Sequence, residues 1–137
     1  MELELLYQNS TNSDKFSINS FVGKFIYQKT WSDCDYWELD KTLMQILSFY
    51  HNKTLPREIF ASIIAIFNDV IGAEDKSEIY VSNMLCAKNS DGVVPSIYDR
   101  FERLKVLCNS IVFKEEFSNS GFWYVPKDQC NESCKFL

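Results

Sequence analysis

Glycine and proline are scarce, with 4 and 3 in 137 residues. So few turn-formers disfavour a many-stranded sandwich or barrel. Clustered positive charge is also missing. The chain carries 14 Lys and Arg against 19 Asp and Glu, a net charge of -5. Displacing counterions from a phosphate backbone takes a basic patch, so non-specific nucleic-acid binding is set aside. The longest apolar run, ASIIAIF and its neighbours, is broken by Asn68 and Asp69 and is too short to cross a bilayer. The start, MELELLYQNS, has glutamates where a secretory leader has basic residues. The expectation is a soluble cytoplasmic protein with neither a membrane nor a nucleic-acid partner.

What the chain does have is apolar mass. It is 46% hydrophobic and 15% aromatic, which argues against disorder. The length suits a single domain, 1–137, that can remove roughly two-thirds of its surface from water. Leu39, Leu43, Ile46, Leu47 and Tyr50 recur at helical spacing after Asp35 and Glu38, which are placed as a capping box. A second helix is expected from TLPREIF, with Thr54 as cap and Pro56 in the first turn. Ile59, Ile63, Phe67, Val70 and Ile71 line one face, and Phe60, Ile64 and Ile66 widen it until most of the circumference is apolar. Such a helix belongs at the centre of a fold. The stripe Ile97, Phe101, Leu104, Cys108 and Ile111 marks another helix, capped by Ser96. SEIYVSNMLCAKN fits a helix from Ser77 better than a strand. Residues 1–7 alternate loosely and read as an edge strand or a helical turn, the strand preferred, while SFVGKFIYQ alternates with period two and reads as a short strand or as an aromatic loop with a close backbone approach at Gly23. FWYV, at 122–125, reads as a further strand, and KDQCNESCKFL as a polar tail. The fold expected is mainly α, three to four packed helices with small β elements near both termini, with α+β as the alternative.

Four carboxylates crowd eight residues: Asp33, Asp35, Glu38 and Asp40. Helix capping and dipole charge account for them most simply. A calcium loop would need a glycine at its sharp turn and a later bidentate Glu, and Tyr36 and Trp37 fill the middle instead. Paired catalytic acids would need a pocket in which Asp33 and Asp40 converge. The third reading is an interaction patch, since carboxylates beside Trp31, Tyr36 and Trp37 combine charge with aromatic anchors.

Five cysteines, Cys34, Cys86, Cys108, Cys130 and Cys134, form an odd and irregular set, so free thiols are the expectation. Cys86 and Cys108 read as small core residues. Cys130 and Cys134 could be half of a metal site, but His51 is the only histidine and paired ligand spacing is lacking. His51 itself sits where a helix end favours a cation. A Cys–His nucleophile pair would need Cys34 or Cys130 to meet His51 in space. The four glycines, Gly23, Gly72, Gly92 and Gly121, are isolated, so no phosphate loop exists. No catalytic residue, cofactor site or metal site is assigned. The mixed run YDRFERLK reads as a solvated helix face. GAEDKSE and FKEEF lean acidic.

SFVGKFIYQKTWSDCDYWELDKTL resembles the N-terminal signature of a family of bacterial immunity proteins from polymorphic-toxin and contact-dependent growth inhibition systems. An aromatic–x–Gly–x–aromatic stretch and a Trp/Tyr-rich segment leading into W-x-L-D fall on Phe21, Gly23, Phe25, Tyr36, Trp37, Leu39 and Asp40. The likeness covers about the first third of the chain. It implies a cytosolic, non-enzymatic protein that binds a cognate toxin domain and blocks it, often by covering a nuclease active site. A general helical adaptor module is the alternative. Under the immunity reading, a monomer meets a basic toxin one to one. Glu74, Asp75, Glu78, Glu115 and Glu116 are then the expected toxin-binding residues.

Overall fold

Leu39, Leu43 and Ile46 on one helix and Leu104, Leu107 and Ile111 on another are all buried, and these two stripes meet at the heart of the molecule. The computed structural model describes residues 1–73, 78–82, 87–88, 97–117 and 125–126. Its elements run α1 (Glu4–Gln8), α2 (Phe21–Gln28), β1 (Thr30–Trp31), α3 (Asp33–Tyr50), α4 (Arg57–Val70), β2 (Tyr80–Val81), β3 (Ala87–Lys88), α5 (Ile97–Phe113) and β4 (Val125–Pro126). The architecture is mainly α with small β elements. Helix α3 packs on α5. Helix α4 packs on α5 and α2, and α1 touches both α3 and α4.

At the N-terminus the helical alternative holds rather than the preferred strand, and SFVGKFIYQ, expected as a strand or an aromatic loop, is a helix. In α1, Leu6 is buried and Leu3 and Tyr7 pack beside it, and the 3–6–7 spacing is helical rather than alternating. In α2 the buried residues are Phe21, Val22, Gly23 and Phe25, again one side of a helix. Ser20 caps it, its Oγ accepting from the Gly23 N–H at 3.0 Å. The close approach at Gly23 is present but serves helix packing. A Cβ there would lie 2.5 Å from the Ser17 carbonyl oxygen and 2.6 Å from the Ile18 backbone. Lys29 ends α2 in the left-handed region at φ 48°.

The expected helix at 77–89 also gives way to extended backbone at 80–81 and 87–88. The Tyr80 N–H donates to the Lys29 carbonyl and the Ser82 N–H to the Trp31 carbonyl, so β2 completes β1 in parallel, Thr30 opposite Tyr80 and Trp31 opposite Val81. Pairing satisfies backbone groups that a helix would have used internally. Strand β3 pairs antiparallel with β4, Ala87 opposite Pro126 and Lys88 opposite Val125.

Helix boundaries shift too. Helix α3 begins at Asp33 with Ser32 at its N-cap, three residues ahead of the expected cap, so Asp35 lies inside the first turn and forms no capping box. Instead it accepts from Lys24 Nζ at 2.6 Å. Helix α4 begins at Arg57 with Pro56 just ahead of it, leaving Thr54 outside the capping position. Residues Cys86, Cys130 and Cys134, the caps Ser77 and Ser96, and most of FWYV and the tail lie outside the described residues.

Helix α4 is not enclosed. Ile59, Ile63, Ile66 and Val70 are buried, but Phe60 is 43% and Ile64 36% exposed. Three helices cover the inner side and none of them reaches the outer one. No described helix is long and apolar enough to cross a membrane.

Candidate functional site

The four crowded carboxylates divide by burial. Asp33 and Asp40 stand seven positions apart, so two helical turns bring them to one face of α3. That face looks at α5, which presents Arg100 and Arg103, three positions apart. Asp33 accepts from Arg100 Nε at 2.6 Å and Nη2 at 3.3 Å, and from the indole N–H groups of Trp31 at 2.9 Å and Trp37 at 3.1 Å. Asp40 accepts from Arg103 Nε at 2.7 Å and Nη2 at 3.0 Å, and from the Tyr36 hydroxyl at 3.2 Å. All four charged side chains are buried, those of Asp33 and Arg100 wholly. Trp37 lies against both guanidinium groups, 5.7 Å from Arg100 and 5.2 Å from Arg103.

This arrangement overturns the reading of YDRFERLK as a solvated face. Glu102 and Lys105 are exposed, but Arg100 and Arg103 point inward. It also closes the acid-pair alternative. Asp33 and Asp40 do not converge, because each carboxylate is held by its own arginine. Bidentate geometry, with further donors on both Asp33 oxygens and on one oxygen of Asp40, is what makes a buried ion pair tolerable. Among the described residues, the cluster fastens α3 to α5. Edge-on aromatic contacts extend the same packing, with Trp31 4.8 Å from Phe21 and 5.0 Å from Phe101.

The arginines were missed because charge was read locally. A signal existed: Arg100 falls on the same stripe as Ile97, Leu104 and Ile111, and Asp40 on that of Tyr36 and Leu43. Opposite charges on the buried stripes of two long helices indicate an interhelical pair.

The cysteine and histidine candidates separate. Cys34 is disulfide-bonded, which corrects the expectation of free thiols. Cys108 is free and buried, and burial, aided by the Asp40 charge, pushes its thiol up to about 12. His51 is exposed at the C-cap of α3. Cys34, being disulfide-bonded, offers no thiol to pair with it. Among the described residues no group of three His, Cys, Asp or Glu side chains could hold a metal ion.

Of the expected binding carboxylates, Glu74 and Asp75 lie outside the described residues. Glu78 is exposed in a left-handed turn at φ 57°. Glu115 and Glu116 are exposed and held between two anchors. On one side Lys114 donates to the Tyr50 and Lys53 carbonyls at the end of α3. On the other Phe117 packs on the core, 5.2 Å from Arg103.

Grooves of about 640 and 530 Å³ flank the open side of α4. Both are lined by Asn12, Arg57 and Ala61. The first adds Tyr7, Asp14 and Glu58, and the second Phe60, Ile64 and Asp69. The 11–12 loop is tied down at their border. Thr11 Oγ1 donates to Asp69 at 2.7 Å and Asn12 Nδ2 to the Ala61 carbonyl at 3.0 Å. The Tyr7 hydroxyl is raised above its ordinary pKa by burial first, then by the charges of Glu58 and Tyr50.

No curated protein and no solved structure is significantly similar to this chain. Residues 8–123 match the family described as Immunity protein 41, a span from the last residue of α1 to beyond α5. That span contains both arginine–aspartate pairs and all of α4, and the chain belongs to the Immunity protein 41 family.

Proposed function

We propose that this protein neutralises a cognate toxin domain, a basic nuclease delivered by contact-dependent inhibition, by binding one to one and blocking the active site or substrate path. It catalyses nothing in this reading. Family membership carries the proposal. A fastened α3–α5 frame supports it, because a rigid inhibitor loses little conformational entropy on docking. With a net charge of -5, the chain would be steered toward a basic partner, and Glu78, Glu115 and Glu116, with Glu74 and Asp75, are proposed to supply that field.

The test is growth rescue joined to co-purification. The chain is expressed without an export leader in cells carrying the toxin domain encoded directly upstream of it. Rescue with a co-purifying complex is expected, and it would place neutralisation in the cytoplasm. The disulfide at Cys34 weighs against a strongly reducing compartment, so an exported form is run in parallel. Rescue only by the exported form would move the site of action outside the cytoplasm. No rescue and no complex in either form would remove the immunity reading. Glu115→Lys with Glu116→Lys is expected to slow association by about tenfold at low salt while leaving the fold intact. An unchanged on-rate would strike these two from the binding surface.

A further inference from the structure

We infer that the disulfide at Cys34 is a thiol-reducible latch that keeps Glu78 presented to the toxin domain, so that reduction weakens neutralisation. The inference rests on the immunity reading above and adds a redox control to it. Cys34 is half-buried in the first turn of α3, between Asp33, which Arg100 holds, and Asp35, which Lys24 holds. Cys108 is free, so the partner sulfur belongs to Cys86, Cys130 or Cys134, all outside the described residues. Cys86 comes four residues after Ser82, which follows β2. Cys130 and Cys134 come four and eight residues after Pro126 in β4, and β4 pairs with Ala87 and Lys88, five and six residues after Ser82. Each choice therefore ties the chain that follows β2 to the start of α3, directly or through the β3–β4 pairing.

That tie bears on Glu78. Strand β2 is two residues long. The Tyr80 N–H meets the Lys29 carbonyl at 2.9 Å, and the Ser82 N–H and hydroxyl meet the Trp31 carbonyl at 3.0 and 3.3 Å. A two-stranded pairing of this length is marginal in water by itself. Glu78, exposed two residues ahead of β2, takes φ 57°, a conformation that a non-glycine residue keeps where its surroundings impose it. Ile79 packs on the core between Glu78 and β2. A cross-link that closes a loop of about fifty residues or more removes unfolded arrangements of this stretch, and breaking it returns them. The α3–α5 frame keeps its own ion pairs and aromatic packing and does not depend on the bond. A dithiol opens the latch. Its thiolate attacks one sulfur, the S–S bond breaks, two electrons and two protons pass to the two cysteines, and the dithiol closes as its own disulfide.

The full chain is purified without reductant and digested under non-reducing conditions. Mass spectrometry should find Cys34 joined to one of the three partners, and a free Cys34 thiol would overturn the latch. A second portion is reduced with dithiothreitol, capped with iodoacetamide and freed of reductant before the upstream-encoded toxin domain is added, so the toxin's own thiols are untouched. Its binding is expected to be about tenfold weaker than that of the oxidised portion. Such a loss weakens the complex without abolishing it, so rescue from the cytoplasm remains the expected result. Cys34→Ser should bind like the reduced portion and ignore dithiothreitol; if this variant folds poorly, the reduced wild-type chain carries the test. Glu78→Lys should weaken the oxidised chain and add little to the reduced one, where that carboxylate is already misplaced. An equal cost of Glu78→Lys in both states would overturn the link to Glu78. Amide exchange of the reduced chain should quicken at 80–82 while the α3–α5 amides stay slow, and quickening throughout would overturn a local latch. Equal toxin affinity of oxidised and reduced chains would remove the latch alone, whereas an oxidised chain that fails to bind the toxin domain would sink the immunity reading with it.

Discussion

Between α3 and α5, two arginines and two aspartates are buried; on the outer side of α4, a phenylalanine and an isoleucine stand in water. Each region inverts the ordinary placement of its residues. In the first, each guanidinium meets its carboxylate through two nitrogens at 2.6–3.3 Å, and Trp31, Trp37 and Tyr36 donate to the same carboxylates, which offsets part of the desolvation. In the second, apolar area stays exposed with nothing among the described residues to offset it. Inverted charge with its partner in place is a fastener.

The comparison breaks most visibly through single truncations. Asp40→Ala strands the Arg103 guanidinium in the core and is expected to cost about 3–5 kcal/mol in urea unfolding. Phe60→Ala on the open face is expected to cost about 1 kcal/mol or less. Asp40→Leu combined with Arg103→Met should recover much of the loss, because removing both charges leaves neither unpaired. Equal costs for Asp40→Ala and Phe60→Ala would erase the distinction between the two regions.

Much of the fold was legible. The stripes Leu39–Tyr50 and Ile97–Ile111 named α3 and α5 because long, clean periodicity survives tertiary context. Helices α1 and α2 were misread because five to eight residues are too few to separate period two from period 3.6 when aromatics crowd them. The 77–89 segment was misread because its backbone partner, β1, lies about fifty residues away. The interhelical pairs escaped because YDRFERLK, taken alone, has the mixed charge of an exposed face. The outer side of α4 was visible as excess apolarity, but composition alone could not say which side lacked cover.

A smaller effect sharpens the account of α2. Gly→Ala within a helix ordinarily stabilises by up to about 1 kcal/mol. Gly23→Ala should instead destabilise by about 1–3 kcal/mol, since its Cβ would meet backbone atoms at 2.5 and 2.6 Å that no rotamer change can clear. A thermal melt at or above the wild-type midpoint would contradict the close approach.

The smallest effect concerns Cys108, inside the fastened region. Its folded pKa, about 12, exceeds the ordinary 9.0, so the folded state keeps its proton where the unfolded chain loses it. Stability is therefore whole below pH 9 and falls as pH rises toward 12, by about 1.4 kcal/mol per unit at most. Cys108→Ala should flatten part of that slope in urea titrations from pH 8 to about 10. An identical slope in the variant would mean that Cys108 ionises as freely folded as unfolded.

The most direct measurement is amide hydrogen exchange of the full chain, free and bound to the upstream-encoded toxin domain. The account predicts new protection around Glu78 and at Glu115 and Glu116, with the α3–α5 amides slow in both states. A saturated complex with no new protection at those carboxylates would contradict it.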